Sequence, residues 1–147
     1  MPVLTMPYPI EQVSLELDTP VSYKTWLHTT RDYHLIGVIA FFAPTSYRQG
    51  KWDDLEYVRR RTDEFSVVGF PEFLSAMIID VSGLSFVMDG DAPIFPWRMI
   101  EDNSPVRLLV HHDHRAHYSS VFEPAWLEWD LEVAIRDIRN LLDSRIH

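Results

Sequence analysis

The chain contains no cysteine, which excludes a disulfide framework, a thiolate zinc site and a cysteine nucleophile, and suits a reducing compartment. Positive charge is also scarce, with 13 Lys and Arg against 22 Asp and Glu and a formal charge of −9. That balance disfavours nucleic acid or an anionic membrane surface as partner and favours a basic protein. No apolar run approaches the ~20 residues of a membrane span. The first residues lack a basic region followed by a long apolar stretch, so a cytoplasmic location is expected. Internal repeats, low-complexity tracts and linkers are missing as well. What is abundant is apolar side chain, 46% hydrophobic and 13% aromatic, enough for a single domain over residues 1–147 with a real core.

Residues 1–11 carry Pro2, Pro7 and Pro9 and are expected to be an irregular lead-in. Residues 13–17 alternate apolar and polar and predict a first, edge-like strand, with a turn at Asp18, Thr19 and Pro20 and a return strand over residues 23–27. Two continuous apolar runs, residues 35–42 and 76–81, read as strands covered on both faces, the second ending at Asp80 and opening into a loop. Between them Asp53 and Glu56 have capping-box spacing, and Leu55, Val58, Thr62 and Phe65 recur on one face of a helix. Residues 92–100 suggest a short or broken helix, because Pro96 lacks the N–H that a helix interior needs. Residues 106–110 form a further strand, and residues 131–146 a closing helix capped by Asp130. Alternating strands and helices predict an α/β fold: a single-layer, mostly parallel sheet with packed helices.

The segment from Ile78 to Phe86, reading IIDVSGLSF, resembles the core motif of STAS domains, the sulfate-transporter and anti-sigma-factor-antagonist fold. There an apolar strand ends in Asp-Leu-Ser-Gly and a serine-bearing loop opens a helix. The resemblance extends loosely over residues 35–142 through element order. It implies a STAS-like sheet and a protein-binding role. In that family the loop serine can be phosphorylated by a partner kinase, but the matching loop here, Met88 to Asp91, holds no hydroxyl, so the phosphorylation switch does not carry over. The aliphatic strand, acidic loop, Phe95-Pro96-Trp97 and acidic-capped last helix are also similar to small acidic bacterial proteins that neutralise toxins as immunity partners.

Other constellations were weighed for chemistry. His111, His112, Asp113, His114 and His117 include metal-ligand types, with His112 and His114 expected to share a strand face. A solvated loop after the strand is the expectation there, since adjacent ligands rarely converge and HExxH spacing is absent. Asp80 with Asp89 and Asp91 lacks EF-hand spacing and reads as turn and cap residues. Arg59, Arg60 and Arg61 read as a solvated helix face paired with Glu56, Asp63 or Glu64. Ser82, Ser119 and Ser120 sit in no Gly-x-Ser-x-Gly elbow. Trp97, Trp126 and Trp129 flank acidic positions and suit either core or interface, and residues 122–130 suggest one edge of a contact surface.

The reading is a non-enzymatic, cofactor-free protein-binding module with neither nucleic-acid nor membrane partner, an immunity protein that blocks a basic bacterial toxin. The expected contact residues are Asp89, Asp91, Trp97, Glu101 and Asp102. The alternatives are a STAS-like regulatory module in signalling or transport, and a small metal-dependent enzyme using residues 111–117.

Overall fold

The computed structural model describes residues 7–68, 73–88 and 94–144. In chain order these form β1 (Ser22–Thr29), β2 (Leu35–Phe42), α1 (Trp52–Ser66), β3 (Ala76–Gly83), α2 (Trp97–Glu101), β4 (Val106–Leu109), α3 (Arg115–Val121), β5 (Leu127–Glu128) and α4 (Leu131–Ser144). The five strands make one sheet in the order β1-β2-β3-β4-β5. β1 is antiparallel to β2, and every other neighbouring pair is parallel. This is an α/β protein with a mostly parallel sheet, as the apolar runs predict.

Three crossovers run the same way across the sheet, and right-handed connections then place α1, α2 and α3 on one face. The side chains agree. Ile39, Phe41, Met77, Ile79, Val106 and Leu108 pack with Val58 and Phe65 of α1, Met99 of α2 and Tyr118 of α3. The alternate residues Ile36, Val38, Ala76, Ile78 and Leu109 pack on the opposite face against Ala134, Ile138 and Leu142 of α4. Burial on both faces is why β2 and β3 read as unbroken apolar runs.

α1 shows which forces hold a helix here. Glu56 pairs with Arg59 and Arg60, Asp63 with Arg59, and Glu64 with Arg61, so the three arginines do form the paired outer face. The Arg59 guanidinium holds the Glu56 carboxyl below its usual range. Such i,i+3 and i,i+4 pairs contribute roughly 0.3–0.5 kcal/mol each, whereas burying a Val or Phe side chain contributes roughly 1.5–3 kcal/mol. The buried stripe of Val58, Thr62 and Phe65 therefore anchors the helix.

Four expectations are corrected. Residues 13–17 form no strand: Val13 and Leu15 are exposed, and the segment lies along α1, where Arg60 donates to the Leu15 carbonyl. The partner of β1 is β2 instead. The helix cap shifts by two residues, since Lys51 is the N-cap and Asp54, rather than Glu56, reaches back to its N–H at 2.7 Å. Asp53 meanwhile accepts the N–H of Asp18. β3 does not stop at Val81 but runs to Gly83. Residues 111–117 are largely solvated as expected but are not a loop, for they form a 3-10 turn at His112–His114 followed directly by α3.

The remaining boundaries follow the sequence. Pro96 is the N-cap of α2, which ends after five residues just before Asn103 at φ 54°, and the Asp130 carboxylate accepts the Val133 N–H at the start of α4.

Candidate functional site

Parallel strands deliver their following loops to one end of the sheet, where ligands of open α/β folds gather. Here that end holds a polar crevice of about 540 Å³ lined by Thr45 and Arg48 after β2, Ser82, Gly83, Leu84 and Ser85 at the end of β3, and His111, Asp113 and His114 after β4. Burial, with His111 alongside, pushes His114 below the ordinary histidine range and favours its neutral form at pH 7. His112 and His114 share no strand face, because the chain turns at His112–His114 before either can continue β4.

The second region is on the face that α4 covers. Among the described residues α4 alone packs on that face, and beside it an apolar groove of about 260 Å³ remains between Trp26, Val38, Ala40, Phe42, Asp80, Leu131 and Ile135. Trp26 is half exposed, and Lys24 lies over the Phe42 ring at 5.8 Å. Asp80 sits in this groove rather than in a loop, and one of its carboxylate oxygens accepts both the N–H (2.9 Å) and the hydroxyl (2.6 Å) of Ser82. That bond commits the Ser82 hydroxyl, just as the Ser120 hydroxyl is committed to the His117 carbonyl.

The third region is α2. Trp97 is 76% exposed and so belongs to no core, while Glu101 and Asp102 are exposed one turn further on. Arg98 reaches Asp102 at 3.6 Å and donates to the Ser66 carbonyl, tying the helix to the end of α1. Trp97 and Glu101 are thus exposed one turn apart on α2, with Asp102 at its C-terminal cap. Asp89 and Asp91 lie outside the described residues.

The other two tryptophans divide. Trp126 stacks edge-on against Phe95 at 5.3 Å and helps close the core, while Trp129 is partly exposed beneath the Arg115 guanidinium, 4.0 Å from the ring centroid. Residues 122–130 are therefore less a loop than a 3-10 turn, the short strand β5 and the lead into α4. The groove residues Trp26, Phe42 and Leu131 escaped the sequence reading.

Among the described residues the architecture is that of an α/β protein with a five-stranded, mostly parallel sheet and four helices. Compared with known proteins, the chain matches no family model, no curated protein and no solved structure. Among the described residues no helix is long and apolar enough to cross a membrane.

Proposed function

We propose that this chain is a non-enzymatic protein-binding module of the cytoplasm that recognises a basic protein, and that it serves as an immunity protein neutralising a bacterial toxin by direct contact. The observation that carries the reading is the exposed indole of Trp97 on a helix fixed to the body by Arg98, with exposed Glu101 one turn on and exposed Asp102, the ion-pair partner of Arg98, at the helix end. Tryptophan is among the residues that most often anchor interfaces, and carboxylates around it speed encounter with a cationic partner. The net charge of −9 extends that attraction over the whole molecule.

The groove supports the same reading, since Trp26 and Phe42 beside Asp80 suit the aliphatic stem and cationic head of a Lys or Arg side chain. A STAS-like regulatory role uses the same surfaces with a kinase or membrane protein as partner, and rests on the IIDVSGLSF segment and the order of elements.

The test is affinity capture of the tagged chain from its native lysate at low and moderate salt, followed by assay of the captured partner. A basic partner that is released by salt and loses a toxic activity in the complex supports the reading. A captured kinase or transporter moves the assignment to the regulatory role.

A further inference from the structure

β4 ends at Leu109, and His111 follows in extended conformation, with φ −69° and ψ 141°. The 3-10 turn then reverses the chain at once, and residues adjacent in sequence fold their side chains onto one another. The rings of His111 and His112 stack with centroids 4.3 Å apart and planes inclined by 27°. The Asp113 carboxylate closes the group: one oxygen lies 3.1 Å from His112 Nε2, and the other 3.5 Å from His111 Nδ1. Donor atoms from all three residues fall within 4.8 Å of one another.

The three groups lie near a metal's spacing without yet having it: the donors are within 4.8 Å of one another, and the two carboxylate contacts are on different oxygens. The rings must also rotate out of their stack for each nitrogen lone pair, which lies in its ring plane, to face a common ion. Zinc binds imidazole nitrogen and carboxylate oxygen at roughly 2.0–2.2 Å, which sets tetrahedral donors about 3.3–3.5 Å apart. We propose that His111, His112 and Asp113 form a binding site for one divalent transition-metal ion of the zinc, cobalt and nickel class. Two imidazoles and one carboxylate suit that class better than the all-oxygen sets preferred by magnesium or calcium.

Capping the turn does not explain the cluster, because His111 Nδ1 alone accepts the Asp113 N–H, at 3.1 Å. His112 is not needed for it. On ligation through Nδ1 that N–H passes to water, at small cost on so open a surface. Three protein donors leave a fourth tetrahedral position open. His111 and Asp113 line the crevice together with Arg48, Thr45 and Ser82, so the class of ligand expected at the fourth position is water or an oxygen anion attracted by the Arg48 guanidinium. This site lies at the carboxyl end of the parallel strands and is independent of the protein-binding reading.

The experiment is calorimetric titration of Zn²⁺ into the 147-residue chain in a non-chelating buffer, repeated with Co²⁺ and read by visible absorption. The expected result is one ion per chain and the absorption bands of low-coordinate Co²⁺. His112→Ala and Asp113→Asn each weaken binding by about tenfold or more, while His34→Ala leaves it unchanged. Both ligand side chains are exposed, and circular dichroism verifies that the variants fold. Absence of saturable binding overturns the proposal. So does binding that survives both variants and disappears instead with His114→Ala or His117→Ala.

Discussion

The phenolic oxygen of Tyr118 accepts the backbone N–H of Met88 at 2.8 Å, while His117 Nε2 lies 3.2 Å from the Met88 carbonyl. Two consecutive residues of α3 thus hold both polar groups of one residue in the segment after β3. Tyr118→Phe leaves the buried Met88 N–H without a partner and is expected to cost about 1–3 kcal/mol in urea unfolding.

Burial also pushes the Tyr118 hydroxyl up to about 12, and the hydrogen bond to the Asp54 carboxylate does the same for Tyr47. Both groups hold their proton more tightly folded than unfolded, where tyrosine titrates near 10. Their contribution is complete below pH 10 and is lost as pH rises from there toward 12. Unfolding midpoints measured from pH 8 to pH 12 should therefore be flat and then fall, and the fall should be shallower in Tyr118→Phe.

Asp54 is wholly buried, and its carboxylate accepts from the Thr19 hydroxyl at 2.6 Å, the Tyr47 hydroxyl at 2.6 Å and the Lys51 N–H at 2.7 Å. One side chain ties the N-terminal segment, the loop after β2 and the start of α1 together. Asp54→Asn substitutes an N–H₂ donor for one accepting oxygen and sets it against donors already in place. The expected loss is about 2–4 kcal/mol by equilibrium denaturation, well above that of Asp63→Asn on the exposed side of the same helix.

Gly83 pairs with Phe42 where the register between β2 and β3 shifts, and a Cβ there would lie 2.7 Å from the Phe41 carbonyl oxygen. Backbone cannot yield as a flexible side chain does. Gly83→Ala is expected to destabilise by about 1–3 kcal/mol in thermal or urea unfolding.

The central strands, α1 and α4 were legible because each combines a long periodic or continuous apolar signal with burial that enforces it. Residues 13–17 have the alternation of a strand but not the burial: Leu15 is 75% exposed, and α1 holds the segment by its backbone. β5 was invisible for the opposite reason, since two residues cannot display a period. α3 opens among histidines with no apolar stripe, and its anchor is the single buried Tyr118. At the site, the sequence supplied the histidines and Asp113 but not the tight turn that folds them together. Trp97, Glu101 and Asp102 could be grouped in advance because one short helix and its C-terminal cap carry them.

The central claim is that the α2 surface binds a basic protein, and parallel capture tests it most directly. The wild-type chain and a Trp97→Ala, Glu101→Lys, Asp102→Lys variant are immobilised at equal density and exposed to the same native lysate. All three positions are exposed, but Asp102→Lys also removes the ion pair with Arg98, so urea unfolding of the variant is measured alongside to show that it remains folded. The account predicts a basic protein retained by the wild type, eluted by moderate salt and absent from the variant. Equal retention of the same partner by both chains would contradict it.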